Sequence, residues 1–271
     1  MTSPASSSPI LLKARGPVLE LWLNRPEQRN AMTPQMALDI LSCFEAVRDD
    51  RTIRVVVMRG AGGTFCAGAD LKALAAAGQT GGSADTLKTS NRQFARMLET
   101  VNAAPQAVIA VVEGYAMGGG FGLACVSDIT LARADAIFAM TEVTRGIVPA
   151  AISPFVVSRI GLTAARRFAV SGARLNGVEA RDCGLAHAYA PDAATLEEAL
   201  TDTVNASLKC APHAVAATKQ LMLRAAGPTP MAQLFDEAAR AFAEAVLGPE
   251  GQEGTRAFVE KRAPSWVVEA E

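Results

Sequence analysis

Two histidines in 271 residues, and five cysteines with no C-x-x-C among them, leave little from which to build a metal site. His187 and His213 stand apart from one another and from clustered thiols, so no metal is expected and both are assigned to structure. Cys43, Cys66, Cys125, Cys183 and Cys210 are scattered and odd in number, which reads as reduced thiols in a cytoplasmic protein. An excess of charge of one sign is also missing. The formal net charge is −1, so no basic footprint for nucleic acid or for an anionic membrane is expected. No apolar run reaches membrane-spanning length, and the richest, Ala107 to Val112, stops at Glu113. The N-terminal stretch lacks the basic region and apolar core of a signal peptide. It is Ser/Pro-rich and uncharged from Met1 to Pro9, and residues 1–14 are expected to form a disordered leader.

Familiar nucleotide and nucleophile motifs are absent as well. Counting a G-x-G-x-x-G from Gly118 and Gly120 puts Leu123 where the third glycine belongs; from Gly60 and Gly62 it puts Phe65 there. No Gly-Lys-Ser/Thr and no G-x-S-x-G occur, which removes the P-loop and the nucleophile elbow.

What is present is a chain half hydrophobic, ample for a large core, with strands and helices in alternation. Val18 to Leu23 alternates and is stopped by Asn24-Arg25-Pro26, so it reads as a strand. Thr33 and Pro34 read as the N-cap and first position of a helix carrying Met36, Ile40, Leu41, Phe44 and Val47. Ile53 to Met58 and Val108 to Val112 are short apolar runs expected to be buried strands. Ala67 to Ala77 is expected to be a loop entering a helix, Gly78 to Ser83 a mobile Gly-rich link, and Leu87 to Val101 a second helix. A helix over Phe121 to Val126 and strands over Ile129 to Ala132 and Ile137 to Met140 follow. Beyond about Pro191 the chain is Ala-rich and helical without a convincing strand. The expected organisation is therefore α/β, with a core over 15–194 and a helical C-terminal part over 195–271.

Three segments could carry chemistry. Thr64-Phe65-Cys66-Ala67-Gly68-Ala69-Asp70-Leu71-Lys72 sets small residues before a helix, where backbone N–H groups can approach a ligand or merely make a tight turn. Gly114-Tyr115-Ala116-Met117-Gly118-Gly119-Gly120-Phe121-Gly122 puts a glycine triplet between strand and helix, suited to close packing or to anion-directed N–H donors. Phe138-Ala139-Met140-Thr141-Glu142 ends an apolar strand on a carboxylate, which is either a helix cap or a buried general base.

In this order and spacing, together with Asn24 to Met32, Ser171-Gly172…Ala180…Gly184-Leu185 and Ala257 to Arg262, the segments resemble the crotonase (enoyl-CoA hydratase/isomerase) superfamily from about Val18 to Arg262. The resemblance implies a ββα spiral core with a helical C-terminal trimerisation region, acting as a homotrimer or dimer of trimers. It implies an acyl-CoA substrate, with coenzyme A arriving as part of that substrate and no tightly bound cofactor. Backbone N–H groups of Ala69 and Gly119 would form an oxyanion hole for the thioester oxygen, and Glu142 would be the acid/base.

Arg29, Ala67, Asp70, Leu71, Lys72, Phe258 and Lys261 match positions that meet coenzyme A in the family, although solvated charge competes for Arg29, Lys72 and Lys261. Gly118, Gly122 and Ala150 would line the acyl pocket. Typical hydratases carry a second glutamate where this chain has Gly122, so either Glu142 acts alone, with Gly122 leaving room for a bulkier acyl chain, or the reaction is not hydration. Thr141-Glu142-Val143 and Gly146 to Phe155, together with the Gly118 to Gly122 run, are similar to bacterial methylglutaconyl-CoA and isohexenylglutaconyl-CoA hydratases, which also show glycine at the second-glutamate position, and Arg145 could meet a distal carboxylate of such a substrate. The expected activity is hydration of a 2-enoyl-CoA. The alternatives are another crotonase-type reaction such as isomerisation, or a non-catalytic CoA-binding scaffold, which would have no need of Glu142.

Overall fold

The computed structural model describes residues 8–70, 75 and 83–268. Six strands form the main sheet, in the order β1-β2-β3-β4-β6-β9. These are β1 (Ile10–Arg15), β2 (Val18–Leu23), β3 (Val55–Gly60), β4 (Ala107–Val112), β6 (Ile129–Arg133) and β9 (Ala188–Ala190). Only β1 and β2 run antiparallel; the remaining pairs are parallel. A second sheet has the order β5 (Tyr115–Met117), β7 (Ile137–Ala139) and β8 (Arg174–Leu175).

From β4 to β7, successive strands alternate between the two sheets. Strand β4 is followed by β5 and then helix α3 (Gly119–Val126). Strand β6 is followed by β7 and then α4 (Ser153–Ser171), which breaks at Gly161. The same step recurs earlier: β3 leads to Cys66, which bridges Ala116 of β5, and on to α2 (Ala84–Asn102). It recurs once more in β2, Met32 and α1 (Pro34–Val47), where Met32 bridges Ala69. This is the expected ββα spiral.

Local chemistry explains the elements that were legible. Thr33 caps α1 by accepting from the Met36 N–H, with Pro34 at the first position. Strands β3 and β4 are apolar on both faces because helices cover both sides of a parallel sheet. One face packs on α1, α2 and α3 in a core with Phe44, Phe65, Phe121 and Phe138. The other face packs on Leu196, Leu200, Val204 and Leu208 of α6 (Ala193–Leu208).

Two expectations need correcting. The leader expected over 1–14 is partly a strand: Ile10–Arg15 pairs along its whole length with Val18–Leu23 through a turn at Gly16. Its outward residues are mostly solvent-exposed, so it has little apolar signature of its own. The boundary at 194/195 cuts through α6, whose four apolar residues belong to the core of the sheet. Beyond α5 (Gly177–Asp182) and α6, the chain ends in α7 (Pro212–Ala226), α8 (Met231–Leu247) and α9 (Pro249–Glu260), which bury almost nothing within the chain. No described helix is long and apolar enough to cross a membrane.

Candidate active site

Three loops meet where the spiral's second sheet abuts α3. The first is 66–70. Cys66 is held between Tyr115 and Met117: its N–H donates to Tyr115 O at 2.7 Å, and its carbonyl accepts from Met117 N at 2.9 Å. Two residues on, the Met32 N–H donates to Gly68 O at 2.7 Å and the Asp70 N–H to Met32 O at 2.9 Å. In a parallel bridge of this kind the flanking groups are consumed and those of the central residue face the other way. That central residue is Ala69, which is exposed, and among the described residues its N–H has no acceptor.

The second loop is the glycine triplet. Gly118 adopts φ 49° and ψ −111°, a region open essentially to glycine. Its N–H donates to Ala139 O at 3.0 Å. Helix α3 starts at Gly119, and the first intrahelical bond of the turn runs from Gly122 N to Gly118 O at 3.0 Å. The Gly119 N–H therefore precedes any internal acceptor, as in every first helical turn. Close packing fixes the helix laterally: a Cβ on Gly120 would lie 2.6 Å from Cys66 Cβ. At the far end Arg159 donates to the carbonyls of Ala124 and Ser127, and Thr130 Oγ1 also donates to Ala124 O.

The third loop carries Glu142, which opens a helical turn ending at Gly146. Its carboxylate lies against the triplet: Oε1 is 2.8 Å from where a Cβ on Gly118 would be, and that same point is 3.7 Å from Gly68 Cα. Oε2 is buried without a hydrogen-bond partner among the described residues. Burial pushes the Glu142 carboxyl above its ordinary range, against smaller opposing effects from its own amide and from Arg145. Phe138 and Met140, on the apolar stretch that leads to it, are fully buried. The nearby thiol is no nucleophile, since burial pushes Cys66 up to about 11. A free N–H at Ala69, another at Gly119 and a half-buried carboxylate thus face one region. That set can stabilise charge on a carbonyl oxygen while moving a proton beside it.

The other expected residues fall into place unevenly. Ala67 donates to Arg29 O at 2.9 Å, and the Arg29 side chain, exposed, lies over the Tyr115 ring at 5.7 Å. Asp70 forms an ion pair with Arg25 at 2.9 Å. Leu71, Lys72, most of the rest of the expected loop up to Ala77, and residues 78–82 of the Gly-rich link lie outside the described residues. Phe258 and Lys261 sit at the exposed end of α9, Phe258 at 85% exposure. Ala150 is exposed on the loop after Glu142. Arg145 folds back, donating to Thr141 O at 2.9 Å and Thr141 Oγ1 at 2.7 Å. His187 accepts from Thr130 N, and His213 pairs with Glu250 at 2.7 Å, both as structural contacts.

The room expected over Gly122 is not there. A Cβ at that position would lie 2.4 Å from Ile152 Cγ2 and 3.5 Å from Leu98 Cδ1. Ile152, Leu98 and Phe94, whose ring tip is 3.0 Å from a would-be Cβ on Gly119, escaped the sequence reading. Only the glycine at 122 hinted that something else fills the space. Arg25 was visible within Asn24-Arg25-Pro26, but its bond to Asp70 was not.

Known proteins are similar to this chain along nearly its whole length. The family model described as enoyl-CoA hydratase/isomerase matches residues 13–269. The 2,3-dehydroadipyl-CoA hydratase of Escherichia coli is 31% identical over 260 residues, 96% of this chain and 98% of that one. The carnitinyl-CoA dehydratase of Proteus mirabilis is 33% identical, again over 96% of this chain and 98% of the relative. Among solved structures, Pseudomonas aeruginosa AtuE superposes with a TM-score of 0.93 at 50% identity, covering 96% of this chain and all of that one. A Marinobacter aquaeolei enoyl-CoA hydratase/isomerase does so with a TM-score of 0.92 at 46% identity, over 96% and 99%. With its spiral fold, and with a family model and full-length relatives matching it, the chain belongs to the enoyl-CoA hydratase/isomerase family and is an enzyme of the crotonase superfamily.

Proposed function

We propose that the protein hydrates a 2-enoyl-CoA, with the Ala69 and Gly119 N–H groups binding the thioester oxygen and Glu142 as the sole carboxylate acid/base. The observation that carries this reading is the Glu142 carboxylate packed on Gly118, one residue before the free Gly119 N–H. Adding water to the conjugated double bond drives negative charge onto the thioester oxygen as an enolate. A fixed N–H donor at that oxygen contributes roughly 3 kcal/mol to lowering the barrier. Burial raises the Glu142 carboxyl above its ordinary range, which makes it a stronger base toward water than an exposed glutamate would be.

Coenzyme A would pass Arg29 and Ala67, with Lys72, Leu71 and Asp70 along the same path. Phe258 and Lys261 would close over it from the same or a neighbouring subunit. Helix α8 exposes Met231, Phe235, Phe242 and Val246 as one stripe, which supports these helices as the contact between copies in a trimer or dimer of trimers. A glutaconyl-CoA is the acyl group suggested by the sequence around Gly146 to Phe155, with Arg145, on the Glu142 turn, to meet its distal carboxylate.

The test is loss of the conjugated enoyl absorbance on mixing with crotonyl-CoA and with 3-methylglutaconyl-CoA. Wild type should consume at least one, and Glu142→Gln should be slower by roughly 10²–10⁴-fold. Equal rates would remove Glu142 from the chemistry. A second reading, migration of the double bond, is favoured by the hydrocarbon over Gly122, because one carboxylate suffices to shuttle a proton between two carbons. Turnover of a 3-enoyl-CoA with no hydration of the 2-enoyl isomer would select it.

A further inference from the structure

The expected second acid of this site is replaced by more than an empty position. Gly122 lies one turn after Gly118 on α3, and helical side chains lean toward the helix N-terminus. Any side chain at 122 would therefore lean toward Gly118 and Gly119, where the thioester is read to bind. That volume holds the Ile152 side chain, with Cγ2 2.4 Å and Cβ 3.2 Å from a would-be Cβ on Gly122. Ile152 is 3% exposed and enters α4 by accepting from Val156 N at 3.0 Å. It closes the loop that began at Glu142, so the base and this isoleucine are the two ends of one short segment. Phe94 and Leu98, a helical turn apart on α2, continue the same hydrocarbon surface along Gly119 and Gly122.

Resting on the acyl-CoA reading above, we propose that Ile152 is a specificity-determining residue, a hydrocarbon wall occupying the second-acid position and setting how bulky an acyl group can lie along α3. Three consequences follow from its geometry. No side chain larger than hydrogen fits at 122 while Ile152 is present. The acyl group meets a proton-transferring group only on the Glu142 side. Shortening Ile152 opens room for a branch, and one methylene in an apolar pocket discriminates by roughly 10–200-fold.

Binding of saturated acyl-CoAs tests this without relying on turnover. Titration calorimetry would compare butyryl-CoA with 2-methylbutyryl-CoA and 3,3-dimethylbutyryl-CoA on wild type, Ile152→Val and Ile152→Ala. The affinity ratio of at least one branched acyl-CoA to the straight one should rise about tenfold in Ile152→Ala and less in Ile152→Val. Ratios unchanged in the milder, folded Ile152→Val and in Ile152→Ala alike would overturn the proposal. Thermal unfolding of Gly122→Ala, Ile152→Ala and the double variant gives an independent arm. Gly122→Ala should lower the Tm, and the lowering should largely vanish when Ile152 is already alanine. A Gly122→Ala variant as stable as wild type would equally overturn it. If no enoyl-CoA is turned over by any variant, the hydratase reading falls, while the binding ratios and the thermal cycle still decide the role of Ile152.

Discussion

The Glu142 carboxylate rests on Gly118, its Oε1 2.8 Å from the point where a Cβ on that glycine would stand. Base and oxyanion helix are thereby fixed against each other through a position that must have no side chain. Two independent constraints coincide there, since Gly118 also has φ 49°. Replacing it with alanine should therefore move Glu142 and strain the turn that presents the Gly119 N–H. Gly118→Ala is expected to reduce kcat/KM by at least about a hundredfold, comparable with losing one oxyanion donor. Steady-state kinetics on the preferred enoyl-CoA checks this. A folded variant with near-normal kcat would mean that neither group needs this contact.

Glu142 should also leave a signature in pH dependence. Burial raises its folded-state value above that of the unfolded chain. The native state therefore holds the proton to higher pH, and stability falls as pH rises through the window between the ordinary glutamate value and the raised one. Glu142→Gln removes that ionisation. Its Tm should exceed wild type near neutral pH, and the difference should shrink below the ordinary carboxylate range. Because Glu142 must start as a carboxylate to take the proton from water, the acidic limb of activity should lie at higher pH than for an exposed glutamate. Tm measured for both proteins from pH 4 to 8 decides the first point, and a constant Tm difference would contradict it.

Features written in local chemistry were readable in advance. Thr33 and Pro34 announce α1 because a cap and a first-turn proline act within four residues. The glycine triplet and Glu142 were readable because both lie at the ends of strongly apolar strands. Strand β1 was not, because most of its residues face solvent and it is a strand only through pairing with β2. Ile152 was not, because its meaning comes from touching Gly122, thirty positions away in sequence and on another helix. Helix α6 shows its apolar spacing plainly in Leu196, Leu200, Val204 and Leu208, but sequence does not say that the far face of the sheet is what it covers.

The Arg25–Asp70 pair ties the 24–32 loop to the oxyanion loop just after Ala69. Arg25 also donates to Ala31 O, and Asn30, fully buried, accepts from Arg25 N at 2.7 Å while donating to Ala61 O and Thr64 O. Both charged side chains are largely buried, so removing the guanidinium takes away a charge-assisted hydrogen bond held inside the fold. Arg25→Ala is expected to cost about 1.5–3 kcal/mol of stability, the range for hydrogen bonds to charged groups. Activity should fall as well, because the Ala69 N–H loses its support. Denaturant unfolding and kcat measured on the same preparation test both parts. A stability loss with unchanged kcat would assign the pair to folding alone.

The place of α6 yields a contrast between two truncations to alanine. Leu196 is 1% exposed and packs beneath the sheet with Val18, Val55 and Leu131, whereas Phe235 on α8 is 65% exposed. Leu196→Ala removes buried volume that the rigid sheet cannot refill, and should cost about 2–5 kcal/mol. Because its core is continuous with the strands, the whole chain should lose stability in a single transition at lower denaturant. Phe235→Ala removes an aromatic surface that touches no buried core within the chain. It should leave the intrinsic stability of an isolated chain nearly unchanged and instead weaken self-association. Denaturant unfolding combined with sedimentation velocity over a range of concentrations separates the two effects. An early, partial unfolding step confined to residues beyond 194 in Leu196→Ala would show that α6 belongs with the C-terminal helices rather than with the sheet.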